Sequence, residues 1–158
     1  MLPRTYEDQV CSVARALELV GDRWTMLVIR EAFMGTRRFD ELQRNLGCAR
    51  NVLSERLNRL VDAGILRKAP YQERPQRFEY RLTRRGVELW PAIMTLMKWG
   101  DRHLAPEGPP VLIVHDGCGG ELDDRLRCDR CGAELGPNDV RAEPGPGVAA
   151  RPPRAGVL

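Results

Sequence analysis

His115-Asp116-Gly117-Cys118-Gly119 and Cys128-Asp129-Arg130-Cys131-Gly132 each hold two metal-binding side chains with two residues between them and a glycine directly after the second. That spacing lets a short backbone turn offer both side chains to one tetrahedral ion. Two such turns, separated by a nine-residue excursion, predict a Cys3His zinc site formed by His115, Cys118, Cys128 and Cys131. Four protein ligands leave no position for water, so the expected role is structural rather than catalytic. The same residues also allow reduced, metal-free thiols or a redox-active pair at Cys128 and Cys131.

A second group of chemically capable residues is basic. Between Arg37 and Arg85 there are thirteen Arg and Lys against six Asp and Glu, a net of +7, which leaves −4 for the rest of a chain whose total is +3. Concentrated positive charge of this kind suits a polyanion, most simply nucleic acid. Within the basic stretch, Leu53, Leu57, Leu60 and Val61 repeat at helical spacing and form one apolar stripe. Asn51, Glu55, Arg59 and Asp62 fall opposite that stripe, with Val52, Arg56 and Asn58 on its flanks. Amides and guanidiniums on an exposed helix face can read base edges in a major groove. A merely solvated face is the alternative.

The elements that carry these groups follow from the rest of the pattern. After a loose arm over residues 1–10, helices are expected at Cys11–Val20, at Arg23–Phe33 with Asp22 as N-cap, and at Phe39–Leu46. Gly47 makes the tight turn into the polar-faced helix, and Gly64 closes that helix as a left-handed C-cap. A short helix, a glycine turn and a longer polar-faced helix in succession have the order of a helix-turn-helix. Next, Ile65–Ala69 and the alternating Phe78, Tyr80 and Leu82 predict two strands. Between them, 70–76 is expected to stay unpaired, because Pro70 and Pro75 lack donors. The result is a hairpin whose Arg74 and Arg77, with Arg67 and Lys68 at its base, can reach phosphates or a minor groove. An edge hairpin protected by its charges is the other reading.

Thr83 is expected to cap a long helix, Arg84–Leu104, bent or broken near Pro91. Its apolar residues are too many for one stripe, so it should pack on its own core and on a second copy of the chain, giving a homodimer. A thick core helix is the alternative. The predicted architecture is mainly α with a small β-hairpin wing: a winged helix-turn-helix, plus a small zinc-ribbon-like C-terminal module. Its expected divisions are 1–105 for DNA binding and dimerisation, 106–140 for the metal module, and 141–158 as a disordered tail.

At 158 residues, 42% apolar and 30% charged, the chain can bury one core and one small appended module. No apolar run nears the roughly 18 residues of a membrane span, and no secretory signal is recognisable. A reducing cytoplasm is therefore expected, where clustered cysteines read as metal ligands. A metal- or thiol-dependent enzyme centred on the cysteine cluster is the first alternative function. It finds little support, because the only other histidine is His103 and no glutamate is spaced to work beside a zinc-bound water. No enzyme is expected. A protein-interaction winged helix without DNA binding is the second alternative.

Several runs carry a closer resemblance. These are Gly21-Asp22-Arg23-Trp24 behind a lone cysteine, Arg38-Phe39-Asp40-Glu41-Leu42, Leu53-Ser54-Glu55-Arg56-Leu57, and Tyr80-Arg81-Leu82-Thr83. Over residues 5 to about 105 the chain resembles the HxlR-type winged-helix transcriptional regulators of bacteria, within the MarR-like winged-helix superfamily. The resemblance implies a homodimer on double-stranded operator DNA of pseudo-palindromic form, nucleoid-associated when bound, with the second helix of the motif in the major groove and the wing beside it. Asn51, Glu55, Arg56 and Arg59 are then expected at base edges or nearby phosphates, and Arg38, Arg50, Arg74 and Arg77 on the backbone. The effector is unknown. Some members look like thiol sensors, which makes Cys11 a candidate redox sensor, helped by Arg15 one turn later; a small half-buried helix residue is the alternative. Cys48 reads as packing. One departure is Ala49 where many relatives have serine, which weakens the N-cap of the reading helix.

Overall fold

The computed structural model describes Tyr6 and residues 8–150. The arm over 1–5 and the tail over 151–158 lie outside the described residues. The chain divides into two compact units, Met1–Gly86 and Val87–Leu158. The long helix thus falls with the C-terminal residues, whereas the sequence pattern joined it to the winged helix through residue 105. Apolar content says that a helix is buried, not which unit buries it.

The first unit begins with α1 (Ser12–Val20) and α2 (Thr25–Phe33). Trp24 adopts a left-handed conformation with φ 82°, so α2 starts at Thr25, two residues later than expected. Asp22 is not a side-chain cap; its carbonyl accepts from the Thr25 amide at 3.1 Å. The buried face of α2 is Thr25, Val28, Ile29 and Glu31, and Leu27 is exposed.

Next come α3 (Phe39–Leu46) and α4 (Arg50–Asp62). Leu42 and Leu46 of α3 and Leu53, Leu57 and Leu60 of α4 are buried, as their spacing requires. Gly64, at φ 68°, ends α4: its amide bonds to Val61 O and the Ile65 amide to Leu60 O, both at 2.9 Å. These two bonds satisfy carbonyls that the helix end would otherwise leave open.

The wing is longer than expected. β1 (Leu66–Glu73) and β2 (Gln76–Leu82) pair antiparallel from Leu66↔Leu82 to Glu73↔Gln76. Pro70 does not stop the ladder, because the register shifts between Pro70 and Gln72 and the bulge absorbs the missing donor. Only Arg74 and Pro75, joined by a cis peptide, remain at the tip. At the other end the Tyr80 amide donates to Arg37 O at 2.8 Å, and Arg38 bridges Glu79, which ties the turn before α3 to the wing.

The helix expected after Thr83, bent or broken near Pro91, is two helices, α5 (Arg84–Val87) and α6 (Trp90–Leu104). The Thr83 hydroxyl receives the Gly86 amide at 3.1 Å and donates to Gly64 O at 2.6 Å. Pro91 falls in the first turn of α6, where a missing amide costs nothing; one helix running through it would have lost a hydrogen bond.

In the second unit, α6 buries Trp90, Ile93 and Met94. β3 (Val111–His115) pairs antiparallel with β4 (Val140–Pro144), followed by a 3-10 turn at Pro146–Ala150. The disorder expected from Arg141 onward is thus corrected for 141–144: this polar segment is an edge strand held by backbone bonds to β3, not by an apolar face. Ile113, Val114, Leu122, Cys128 and Leu135 form a small buried cluster there.

Candidate nucleic-acid interface and metal centre

Glu31 fixes the helix pair of the first unit. Its buried carboxylate accepts from Arg30 Nη2 at 2.7 Å, Asn45 Nδ2 at 2.8 Å and Thr36 Oγ1 at 3.1 Å. Residues of α2, of the turn and of α3 therefore meet on one group, and a buried charge with this many partners is sensitive to losing any of them. Nothing in the sequence singles out this acid, since a carboxylate on an apolar helix carries no signal of its partners.

On α4 the ridge away from the core is Asn51, Ser54, Glu55, Asn58 and Asp62, all exposed. Arg50, at its start, donates to Asp40 Oδ1 at 3.1 Å and Gln43 Oε1 at 3.2 Å, and its guanidinium lies 4.6 Å from the Phe39 ring. Ala49 supplies no side-chain cap, in keeping with its methyl group. Arg56 and Arg59, expected at the DNA, make contacts within the chain. Arg59 pairs with Asp22 and donates to Glu18 O at 2.8 Å; Arg56, 17% exposed, lies 3.7 Å from Asp22 and 3.4 Å from Arg23 O. Glu55 accepts from Arg56 at 2.9 Å.

The wing supplies the other basic groups. Arg38 stacks 4.5 Å from the Tyr71 ring and lies 3.6 Å from Glu79. The side chains of Arg38 and Arg81, first among them Arg81 through its hydrogen bonds, hold the Glu79 carboxyl below the usual range. Lys68 Nζ reaches Asn58 Oδ1 at 3.3 Å, joining the wing base to the α4 ridge. Arg74 and Arg77 are exposed at the outer end of the hairpin. Arg44, not among the arginines that the sequence pattern singles out, lines with Arg38, Arg50 and Arg77 a cavity of about 490 Å³ between α3, the start of α4 and the wing. Its signal was available in the charge count but not in any spacing.

In the second unit, the ligand atoms of His115, Cys118, Cys128 and Cys131 all lie within 4.8 Å of one another and can hold a metal ion. His115 Nδ1 is 3.3 Å from Cys118 Sγ and 3.4 Å from Cys131 Sγ, and the Cys118 and Cys128 sulfurs are 3.4 Å apart. Gly119 and Gly132 both have φ 72°, as the knuckle turns require. A Cβ on Gly120 would stand 2.5 Å from Cys128 Sγ, so the cradle admits no side chain there. The Cys131 and Arg130 amides lower the Cys128 thiol pKa to about 6. At Cys118 the Gly120 amide pulls the pKa down, but the neighbouring Cys128 and Cys131 thiols and desolvation outweigh it and the net shift is upward.

Cys11 is the exposed N-cap residue of α1. The Ala14 amide, then the Val13 amide, lowers its thiol pKa, although neither makes a capping hydrogen bond. Cys48 is buried, and burial raises its thiol.

The family described as HxlR-like helix-turn-helix matches residues 19–108. An uncharacterized HTH-type transcriptional regulator of Mycobacterium tuberculosis is 53% identical over 141 residues, 89% of this chain and 89% of that protein. That alignment is too long to end within the family region. Among solved structures, PA1607, described as a candidate transcription factor, has 36% identity and a TM-score of 0.69 over 86% of this chain and 96% of its own. The redox regulator HypR in its oxidized form has 28% identity and a TM-score of 0.55 over 59% of this chain and 97% of its own. The chain, a winged helix-turn-helix with a C-terminal His/Cys cluster, belongs to the HxlR-like helix-turn-helix family of transcriptional regulators.

Proposed function

We propose that the protein is a homodimeric, sequence-specific DNA-binding regulator that acts in the cytoplasm on a pseudo-palindromic operator. The observation that carries this reading is the exposed polar ridge of α4, flanked at one end by Arg50 and on its side by the Lys68 base of a basic wing. Asn51 can read adenine and Glu55 can accept from cytosine. Ser54 and Asn58 extend the same ridge. Arg38, Arg50, Arg74 and Arg77 take backbone phosphates, while Arg56 and Arg59 hold α4 at its angle through Asp22.

Two exposed apolar faces support the dimer. Val13 and Leu17 of α1 are 65% and 44% exposed, and Leu96 and Trp99 of α6 are 57% and 51% exposed. Apolar groups at helical spacing and open to water suit burial by a second copy, which also supplies the two-fold symmetry of a palindromic site. Thiol responsiveness through Cys11 is supported by its exposure and lowered pKa, and by the likeness to a redox regulator.

The C-terminal cluster takes zinc as a structural ion. With bonds of about 2.3 Å to sulfur and about 2.0 Å to nitrogen, a tetrahedral zinc has ligand edges of roughly 3.5 to 3.8 Å. Three of the six separations, at 3.3 to 3.4 Å, fall just short of that range and all six lie within 4.8 Å, so small shifts of the ligands admit the ion. Three thiolates and one imidazole complete the shell, and zinc bound there would cross-link the two knuckles.

Selection of bound sequences from random DNA, with reduced and with oxidised protein, tests the reading. The expected product is a two-fold symmetric site whose affinity falls with salt and with oxidation. Recovery of no enriched sequence, with no salt-dependent binding, would sink it.

A further inference from the structure

We propose that the His/Cys cluster of the second unit is an oxidation site for hydroperoxides: attack begins at Cys131, closes a Cys128–Cys131 disulfide and ejects the ion, a chemistry that rests on the zinc reading above and adds a reaction to it.

The two knuckles are unequally covered. Cys128 is buried, and a Cβ built on Gly120 would meet its sulfur at 2.5 Å, Arg130 Cβ at 2.7 Å and Asp129 Oδ1 at 2.8 Å. Arg130 Nη1 donates to Cys118 O at 2.7 Å, which lays the guanidinium on the first turn, and Cys118 is half-buried. The second knuckle is open at its far end. Cys131 is exposed, and a Cβ on the following Gly132 would meet nothing within 4 Å among the described residues. A bound zinc keeps its sulfur ligands deprotonated. Among thiolates, access then decides which one an oxidant meets first, and that is Cys131.

The resolving sulfur follows from the same geometry. Cys128 and Cys131 share one turn and their sulfurs lie within 4.8 Å, so side-chain rotation can bring them to the roughly 2.05 Å of a disulfide. Cys118 stands on the other knuckle, which would have to move to reach Cys131. The Cys118 and Cys128 sulfurs are closer, at 3.4 Å, but that pair lacks the exposed thiolate that starts the reaction.

In the first step the Cys131 thiolate attacks one oxygen of hydrogen peroxide; the S–O bond forms, the O–O bond breaks, and a sulfenic acid and hydroxide result. The Cys128 thiolate then attacks the Cys131 sulfur; the S–S bond forms, the S–O bond breaks, and a second hydroxide leaves. The two sulfurs lose two electrons, the peroxide gains them, and two protons from solvent complete two waters. Only His115 and Cys118 remain as ligands, two short of a closed tetrahedral site, so the ion departs.

The test uses the full chain carrying Cys11→Ser and Cys48→Ser, so that the cluster holds its only thiols, loaded with zinc and titrated with hydrogen peroxide. A zinc-sensitive dye follows release, and mass spectrometry of peptides reads the disulfide. One zinc freed and one Cys128–Cys131 disulfide formed per peroxide consumed are expected, with recovery on adding dithiothreitol and zinc. Cys131→His, which keeps four ligands, should release zinc roughly tenfold or more slowly. Should that variant not take up metal, a sulfenic-acid probe on the zinc-loaded protein decides, and Cys131 should be the first residue labelled. Zinc retained under excess peroxide, a disulfide that includes Cys118, or release from Cys131→His at the unsubstituted rate would overturn the proposal. Reduced protein that takes up no zinc would overturn the zinc reading instead.

Discussion

Arg59 of α4 pairs with Asp22 in the turn between α1 and α2, and the same carboxylate lies 3.7 Å from Arg56. One acid thus holds two arginines of α4 against the α1–α2 turn. Because both partners are part-exposed, 45% for Arg59 and 39% for Asp22, solvent screening limits the pair to about 1 kcal/mol or less. Arg59→Ala and Asp22→Asn should each lower the melting midpoint by about 2–4 °C. Each should weaken DNA binding for all sequences alike. Relaxed preference at a single base position in Arg59→Ala would instead make Arg59 a base reader.

Glu31 has a larger expected effect. Its carboxylate is the shared acceptor of Arg30, Thr36 and Asn45, and Glu31→Ala leaves the Asn45 amide with only the 3.4 Å contact to Thr36. A loss of about 2–3 kcal/mol is expected in urea unfolding. Unaltered stability would show that water replaces the carboxylate freely.

Metal removal should act on the second unit selectively. One zinc per chain is expected at neutral pH, and chelation should accelerate amide exchange in β3 and around the two knuckles while α2 to α4 stay protected. The Cys128 thiol, its pKa lowered to about 6, contributes as thiolate above that pH, and its contribution is lost as pH falls through it. Zinc content should therefore decline on acidification through and below about pH 6. Protein that copurifies without metal, with β3 protected regardless, would rule out the structural ion.

The lone cysteines should separate by reactivity. Iodoacetamide should label exposed Cys11, whose pKa is lowered, well before buried Cys48, whose pKa is raised. Mass spectrometry of peptides from zinc-loaded protein reads the order directly. If Cys11 is the switch, Cys11→Ser will also make operator release insensitive to oxidant; unchanged release in that variant would assign sensing elsewhere.

Much of the first unit could be read from the chain because its signals are local. The Leu53, Leu57 and Leu60 stripe and the Gly64 cap each depend on residues within one or two turns, and both stand where the periodicity places them. The knuckle spacing likewise brings His115, Cys118, Cys128 and Cys131 together. What stayed hidden depends on distant partners or on unusual backbone. Asp22 looks like a cap until Trp24 is seen to turn left-handed and free its carboxylate for Arg59. Pro70 looks like a strand breaker until a bulge accommodates it. Arg59 lies opposite the apolar stripe on a helical wheel and Arg56 on its flank, but a wheel does not show the acid waiting in the α1–α2 turn.

The pairing of β3 with β4 bears on how the chain can be shortened. Composition invites a cut at residue 140, where proline, glycine and charged residues begin to dominate. Such a truncation, ending the chain at Val140, would strip four of the five residues of β3, from Val111↔Pro144 to Val114↔Arg141, of their antiparallel partner. It would bare one row of backbone donors and acceptors beside Ile113 and Val114, an open strand edge prone to self-association. A trimmed protein that precipitates would then reflect a lost edge guard rather than a lost ligand, and retaining the chain through Pro144 should restore its solubility.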